Sequence, residues 1–148
     1  MKLYLDVCCW NRPFDDPSQN RVRLEAEAVL SILEMAQADE VEIVGSDIIG
    51  DELSEMPDRE RREKVELLLA LASTRMVLTP AIEDRAAELQ KQNISPFDAL
   101  HLAAAESARS DYFLTTDDNL LRKAKRVALK VKVENPAKWL IQETTDEN

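Results

Sequence analysis

The sequence predicts an α/β fold in which a five-stranded parallel sheet carries helices on both faces. Five short β-prone runs alternate with longer segments of helical periodicity, and this alternation is typical of consecutive βαβ units. The chain has 148 residues, 45% of them hydrophobic, which suits a single domain that buries its own core. The predicted strands are residues 2–5, 41–44, 75–78, 112–114 and 129–133.

The segment between the first two strands is predicted to be an amphipathic helix. Its apolar residues keep the spacing of one helix face: Val22, Ala26, Val29, Leu30, Leu33 and Ala36. The polar segment 11–20, which precedes this helix and contains two prolines, is predicted to be a loop.

Helix starts are marked further along the chain by short polar residues. Thr79, Ser95 and Asn135 each precede a proline, so that the polar side chain can cap the helix while the proline takes its first position. The helix after Ser95 is expected to reach Arg109. Three more caps are predicted, for helices at about 47–56, 59–73 and 117–127: Ser46, Asp58 and Thr116.

The amino terminus and the cysteines argue against a secreted or membrane protein. Asp6 follows three apolar residues, too few for the core of a signal peptide, and no apolar run approaches the length of a membrane span. We therefore expect a cytoplasmic protein. Cys8 and Cys9 have no second pair with which to form a zinc site or a disulfide framework, so both are expected to be buried thiols.

The charge is acidic overall but unevenly distributed. The formal net charge of -10 argues against a general electrostatic attraction for nucleic acid. Residues 119–140, in contrast, include seven basic residues and one acid. Two of these bases, Arg122 and Lys123, either contact an RNA backbone or only balance the carboxyl end of a helix dipole.

Four acids stand where strands end or where the following helices begin. Asp6 ends the first strand, and Asp117 follows the fourth strand at the start of a helix. Asp98 lies on the first turn of the helix after Ser95, and Glu52 lies on the second turn of the helix after the second strand. Since ligands of parallel α/β sheets bind beyond the carboxyl ends of the strands, these side chains can converge on one crevice.

Four converging carboxylates predict a site for divalent cations. Without cations, mutual repulsion would raise the pKa values of the carboxyl groups and strain the fold. Ligands that are all oxygen suit Mg²⁺ or Mn²⁺ rather than zinc, and two such ions can support in-line hydrolysis of a phosphodiester. The single histidine, His101, excludes mechanisms that need a histidine pair. We expect it to pack in the core or to form a hydrogen bond near the site rather than to bind metal.

Each acid also has a structural interpretation. Asp98 fits a capping box with Ser95, Asp117 suits the amino end of a helix, and Glu52 stands among the acids of what can be a solvated helix face. Asp6 adjoins no predicted helix that it would cap, so its position favours a functional role.

The sequence around these acids resembles the PIN domain family and, within it, the VapC-type toxins of bacterial toxin-antitoxin pairs. The resemblance spans roughly residues 1–142, and the acidic segment 143–148 is expected to be a flexible tail. Five stretches carry it: Tyr4-Leu5-Asp6, residues 41–53 with Glu52, residues 95–105 with Asp98, Thr115-Thr116-Asp117, and Val133-Glu134-Asn135-Pro136.

The resemblance implies an Mg²⁺- or Mn²⁺-dependent endoribonuclease. Proteins of this type are commonly homodimers held inactive by a small antitoxin. By the same resemblance Thr115 or Thr116 hydrogen-bonds the acids or a water molecule. The metal ligands and catalytic residues that it implies are Asp6, Glu52, Asp98 and Asp117.

Three positions leave the assignment open. Asp118 is a weaker candidate than Asp117, because the threonine of the family usually stands two residues before the acid. Asp51 competes with Glu52, and helical spacing does not decide between them. Val7 stands where the family often has Thr or Ser after its first aspartate, so a hydroxyl that would orient this aspartate is missing.

Three residues that follow the first strand are candidates for contact with RNA. Arg12, together with the aromatic side chains of Trp10 and Phe14, could hold RNA by phosphate contact and base stacking. Packing is favoured for the two aromatic residues. Arg12 remains open as an RNA contact, as do Arg122 and Lys123.

Two further function classes compete with the ribonuclease. A PIN-like module that binds RNA or a protein without cleaving RNA is the main alternative, favoured by Val7 and by the acidic net charge. A phosphatase similar to the haloacid dehalogenases is disfavoured, because Asp6-Val7-Cys8 lacks a second acid two residues after the first.

Overall fold

The computed structural model describes residues 1–146 and has the predicted α/β architecture. Five strands form one sheet in which every pairing is parallel. They are β1 (Lys2–Leu5), β2 (Glu42–Ser46), β3 (Thr74–Met76), β4 (Tyr112–Leu114) and β5 (Lys132–Glu134). Their order across the sheet is β3-β2-β1-β4-β5.

Eight α-helices lie within the described part of the chain. They are α1 (Val7–Asn11), α2 (Asn20–Gln37), α3 (Asp47–Ser54), α4 (Arg59–Leu69), α5 (Pro80–Gln90), α6 (Pro96–Ser107), α7 (Asp118–Ala124) and α8 (Pro136–Asp146). A 3-10 turn, Arg12–Phe14, follows α1. Among residues 1–146 no helix combines the length and the apolar character needed to cross a bilayer.

The central strand β1 is buried on both of its faces. Leu3, Tyr4 and Leu5 have no exposed surface. Because successive strand residues point to opposite faces, the sheet must be covered by helices on both sides, as the sequence predicts. Tyr4 stacks on Phe113 of β4 with their ring centroids 5.3 Å apart, which packs the two central strands together.

The topology defines one crevice at the carboxyl edge of the sheet. From β1 the chain adds β2 and β3 on one side, and it then returns to add β4 and β5 on the other side. The strand order therefore reverses between β1 and β4. In open α/β sheets, ligands bind beyond the carboxyl ends of the strands at such a reversal.

The structure corrects the prediction for the residues after β1. Residues 7–11 form α1, and the 3-10 turn occupies most of what the sequence predicts as the beginning of a loop. A five-residue helix is too short to show helical periodicity.

In α2, Leu30 is 44% exposed although it was expected on the buried face. The buried face instead includes a charged residue, Glu25, which a pattern of apolar residues cannot reveal.

The last strand also begins later than predicted, at Lys132 rather than at residue 129. Its partner β4 has only three residues, and their pairing extends from Tyr112 with Lys132 to Leu114 with Glu134. The apolar residues before Lys132 therefore lie outside the ladder.

Four of the six predicted helix caps accept a hydrogen bond from a backbone N–H. They are Ser46, Asp58, Thr79 and Asn135. Ser95 directs its hydroxyl to the Asp98 carboxylate instead. The prediction for Thr116 is wrong, because Asp117 takes the capping position of α7 and accepts from Asn119 and Leu120.

The tail predicted at residues 143–148 is helical over much of its length. Helix α8 continues to Asp146, so residues 143–146 are helical, and the flexibility of this tail stays a prediction. Glu147 and Asn148 lie outside the described residues.

The buried Glu25 carboxylate connects α2 to two other segments and also pairs with Arg21 of α2 itself. Its Oε1 atom lies 2.8 Å from Nη2 of Arg12, in the 3-10 turn. Its Oε2 atom accepts from Nε of Arg21 at 3.1 Å and from Nδ2 of Asn135 at 2.6 Å. Asn135 lies between β5 and α8, so one carboxylate joins segments from both ends of the chain.

Arg21 extends this network to the loop after β4. Its guanidinium donates two hydrogen bonds of 2.7 Å to Asp118 and a third, of 3.2 Å, to the carbonyl of Thr116. Two-pronged pairing of arginine with a carboxylate fixes geometry as well as supplying energy. The residues on either side of Asp117 are therefore held by one side chain of α2.

Replacing Glu25 by alanine should destabilise the fold by about 3 kcal/mol, because it leaves several donors without their buried acceptor. This value is at the low end for a broken buried ion pair, since the Arg21 side chain is half-exposed. The measurement is the free energy of unfolding in urea. As a matched control, Glu63→Ala breaks an exposed pair with Arg59 and should cost no more than about 0.5 kcal/mol. Equal losses in the two variants would contradict a stabilising role for the network.

Candidate metal centre

Asp6 lies where β1 and β4 end side by side. Its backbone N–H donates to the carbonyl of Leu114 at 2.9 Å, which continues the strand pairing by one residue. Oδ1 accepts from the N–H of Val7 at 2.8 Å, and Oδ2 accepts from the hydroxyl of Thr115 at 2.8 Å. Asp6 therefore caps α1, which corrects the expectation that it adjoins no helix. This structural role does not engage the whole group, since a carboxylate has about four acceptor positions.

The loop after β4 brings Asp117 to the same edge. The hydroxyl of Thr115 donates to Asp6 and accepts from the N–H of Asp117 at 3.1 Å, so it links the two acids. Oδ1 of Asp117 caps α7, and the residue is exposed. Asp118 turns to Arg21 instead. The geometry thus favours Asp117 over Asp118, and the prediction that Thr115 hydrogen-bonds the acids is confirmed.

Glu52 reaches Asp6 from α3. One ligand atom each from Asp6, Glu52 and His101 can be chosen so that all three lie within 4.8 Å of one another. Oε2 of Glu52 is 3.4 Å from Nε2 of His101. The neighbouring Asp51 is exposed. On helix α3, Glu52 therefore faces the carboxyl edge of the sheet, whereas Asp51 faces solvent.

Asp98 approaches from the first turn of α6 and is half-buried. The Ser95 hydroxyl donates to its Oδ2 atom at 2.8 Å. Burial raises the pKa of Asp98, and the negative charges of Asp117 and Glu52 raise it further. Asp98 thus lies within electrostatic range of acids from two other elements.

The same repulsion acts on Asp6. Burial is the largest cause of its raised pKa, and the charges of Cys8, Asp98 and Glu52 add to the effect, while the hydrogen bond from Thr115 opposes it. Four acids from different segments therefore share one electrostatic environment. Such a group is stabilised by bound positive charge.

Val7 and Cys8 differ from what the sequence suggests. Val7 is buried, and the hydroxyl expected at its position is supplied across the sheet by Thr115. Cys8 is only partly buried, although a buried thiol was expected. Its sulfur lies 3.5 Å from Oδ2 of Asp6 and accepts from the N–H of Thr116 at 3.3 Å. Hydrogen bonds, first with Cys9 and then with the two threonines of the loop, lower the pKa of Cys8 to about 6.

The donor set fits Mg²⁺ or Mn²⁺. Asp6, Glu52, Asp98 and Asp117 offer carboxylate oxygens, the ligands that these hard cations prefer. Burial is the largest cause of the raised pKa values of Asp6 and Asp98, and the negative charges of neighbouring acids raise both values further. Among residues 1–146, the ligand atoms that lie within 4.8 Å of one another belong to Asp6, Glu52 and His101, so that His101 contributes the one nitrogen atom of this cluster, and Asp98 and Asp117 lie outside it.

The predicted RNA contacts differ in their surroundings. Arg12 is engaged by Glu25 and Asp15 and is 20% exposed, so its guanidinium is already neutralised. Arg122 and Lys123 lie on the last turn of α7, where Arg122 is exposed and Lys123 is partly exposed.

The two aromatic side chains after β1 are packing residues, as favoured from the sequence. Trp10 is buried and donates from its indole to the carbonyl of Leu5, and Phe14 packs partly buried against the core.

Comparison with known proteins agrees with this architecture. The profile of the PIN domain family matches residues 3–126. The chain belongs to the PIN domain family. A search of curated protein sequences found no match.

Two solved structures share this PIN fold. The crystal structure of VapBC2 from Rickettsia felis, bound to a DNA fragment from its promoter, is 18% identical with a TM-score of 0.64 and covers 91% of this chain and 98% of that chain. The structure of VapBC-1 from nontypeable Haemophilus influenzae is 15% identical with a TM-score of 0.57 and covers 92% of this chain and 98% of that chain. At these identities the similarity is one of fold.

The stability of the metal-free PIN domain should fall as the pH rises. The folded-state pKa of Asp98 lies above the ordinary 3.8. Its contribution to stability is therefore intact below that pH and is lost as the pH rises through the raised pKa. We expect Asp98→Asn to gain stability relative to the wild type as the pH rises above the ordinary pKa of 3.8, in the presence of a chelator. Urea unfolding across this range is the measurement.

Mg²⁺ at about 100 times its Kd should then stabilise the wild type by about 2.7 kcal/mol and the Asp98→Asn variant by clearly less. Asp51→Asn, at an exposed acid on α3, serves as the control and should follow the wild type. If Asp98→Asn follows the wild type both at every pH and with Mg²⁺, the four acids do not form one electrostatic unit.

Proposed function

We propose that this PIN domain is an endoribonuclease that depends on Mg²⁺ or Mn²⁺ and acts as the toxin of a toxin-antitoxin pair. The observation that supports the proposal is the cluster of Asp6 and Glu52 at the reversal of strand order, with Asp98 close enough to both for its charge to act on Asp6. Such a site suits hydrolysis of a phosphodiester. The acids assigned as metal ligands and catalytic residues are Asp6, Glu52, Asp98 and Asp117.

Hydrogen bonds from neighbouring residues orient the acids that would bind the cations. When bound, Mg²⁺ or Mn²⁺ supplies the positive charge that activates a water molecule and stabilises the oxygens of the phosphodiester. Thr115 fixes the orientation of Asp6 and the start of the Asp117 loop. Ser95 fixes Asp98. The carboxylates of Asp6 and Asp98 are thus each oriented by a neighbouring hydroxyl, as efficient electrostatic catalysis requires.

RNA is the proposed substrate, and the basic end of α7 is its proposed contact. Asp117 caps the start of α7, and Arg122 and Lys123 lie on the last turn of this helix, so one short helix joins an acid of the site to a basic surface. Cleavage of cellular RNA would take place in the cytoplasm. We leave Arg12 out of the RNA surface because Glu25 and Asp15 already neutralise it.

The toxin role is proposed from the fold and from the resemblance of the sequence to VapC-type toxins. Both solved structures named above are VapBC structures. We propose a small antitoxin protein as the regulatory partner and a homodimer as the active assembly, as in the proteins that this chain resembles.

The alternative is a PIN-like module that binds without cleaving. Two features of the sequence favoured it, Val7 and the acidic net charge, and Val7 no longer does. The valine after the first aspartate suggested a missing hydroxyl, but Thr115 supplies a hydroxyl to Asp6 from the loop after β4. The acidic net charge of -10 remains in its favour.

Purified protein should cleave RNA when Mn²⁺ or Mg²⁺ is added. Asp6→Asn and Asp98→Asn should each lower the rate at least about 100-fold, because metal binding supplies several kcal/mol of transition-state stabilisation. The measurement is single-turnover cleavage of a labelled RNA, with circular dichroism to verify the fold. Asp51→Asn is the matched control and should keep wild-type activity. Cleavage that persists in both site variants would reject the assigned centre.

Arg122→Ala combined with Lys123→Ala should weaken RNA binding and its salt dependence. Each lost contact to a single-stranded phosphate lowers the slope of log K against log salt by about 0.7, so the double variant should lose about 1.4. Binding is measured in the Asp98→Asn background to prevent cleavage. The control removes Arg59 and Lys64 on α4, which are exposed and have acidic partners. An unchanged slope would mean that the α7 bases only balance the helix dipole.

A further inference from the structure

A continuous line of hydrogen bonds runs beneath the acidic site. It joins the Ser46 hydroxyl to the Tyr4 hydroxyl at 2.7 Å, and the Tyr4 hydroxyl to Nδ1 of His101 at 2.6 Å. Nε2 of His101 then faces Oε2 of Glu52 at 3.4 Å. Ser46, Tyr4 and His101 are all buried. Because water does not reach these groups, each proton in the line needs an acceptor within the protein.

The direction of the line is fixed at Ser46. The backbone N–H of Ile49 donates to the Ser46 oxygen as the cap of α3, and a backbone N–H can only donate. The hydroxyl proton of Ser46 then needs its own acceptor. Among residues 1–146 the Tyr4 oxygen is the acceptor within reach, so Ser46 donates to Tyr4. The opposite direction would leave a buried hydroxyl proton unpaired, at a cost of about 1–3 kcal/mol.

The hydrogen bond between Ser46 and Tyr4 also determines which group donates between Tyr4 and His101. The Tyr4 hydroxyl is buried between Ser46 and His101 and has one proton to donate. Having accepted from Ser46, this hydroxyl donates to Nδ1 of His101. A neutral imidazole that accepts at Nδ1 carries its proton on Nε2. The Nε2–H group therefore points at the Glu52 carboxylate, where it acts as a donor.

We infer that His101 is a positioning residue that orients Glu52 by donating from Nε2, and that it is not a metal ligand. The inference rests on the proposed function, since it assigns a role to a neighbour of the proposed ligands. An imidazole binds metal through an unprotonated nitrogen, and the line of hydrogen bonds leaves His101 without a free one. Although Nε2 lies within 4.8 Å of ligand atoms of Asp6 and Glu52, the ligand set thus consists of oxygen atoms alone.

The first test is nuclear magnetic resonance of the wild-type protein labelled with ¹⁵N. The chain has one histidine, so its imidazole signals need no assignment by mutation. We expect the long-range ¹H–¹⁵N pattern of the Nε2–H tautomer, unchanged when Mg²⁺ is added. A protonated Nδ1 with or without Mg²⁺, or a change of tautomer on Mg²⁺ binding, would overturn the inference.

The second test measures Mn²⁺ binding by electron paramagnetic resonance. His101→Gln keeps a donor and an acceptor at similar positions and should bind Mn²⁺ within about threefold of the wild type. His101→Leu removes the donor and should weaken binding about tenfold, the usual loss when a group that orients a metal ligand is removed. Wild-type affinity in His101→Leu would show that the imidazole only fills space, and would overturn the inference.

A third variant tests the line without altering the imidazole. Tyr4→Phe removes the donor to Nδ1 and should broaden or shift the imidazole nitrogen signals. Tyr112→Phe is the matched control, because its ring contacts Trp139 and Lys132, outside the line, and it should leave the signals unchanged. These measurements need no RNA cleavage. A protein with the expected tautomer and Mn²⁺ affinities but without ribonuclease activity would refute the proposed function and leave the role of His101 standing.

Discussion

The pairing of β1 with β4 is the constraint on which the site depends. Leu5 lies beside Leu114, and the N–H of Asp6 extends the ladder by one hydrogen bond. This pairing places the Asp6 carboxylate within reach of the Thr115 hydroxyl. A strand register that slips by one residue would turn Asp6 to the other face of the sheet and break this contact. The apolar strands therefore determine where a buried negative charge can be placed.

Repulsion between the acids of the site lowers the stability of the metal-free domain, and favourable contacts elsewhere in the domain must offset this loss. Asp6 and Asp98 have raised pKa values, which means that their ionised forms oppose folding when no cation is present. Substantial burial of β1 and the ion pairs of Glu25 supply compensating stability elsewhere. Functional sites often carry such local destabilisation, because the charges that bind a ligand are poorly accommodated without it.

The positions of the acids could be predicted from sequence because strand ends and helix starts leave local patterns. Asp6 follows an apolar strand, and Asp117 follows two threonines at the end of another. The short helix α1 could not be predicted, since five residues show no periodicity. The contacts of Tyr4 with His101 and Ser46 join residues 97 and 42 positions apart. Such pairs depend on the complete fold and leave no local signal.

The hydrogen bond from Asn135 to Glu25 shows that the packed structure extends beyond the part of the chain that the family profile covers. That profile ends at residue 126, before β5 and α8. A version of the protein shortened to this boundary would lose the donor of a 2.6 Å bond and expose one edge of β4. It would also remove Trp139, which packs against Tyr112. Any minimal fragment intended to retain the fold must therefore include the carboxyl-terminal helix.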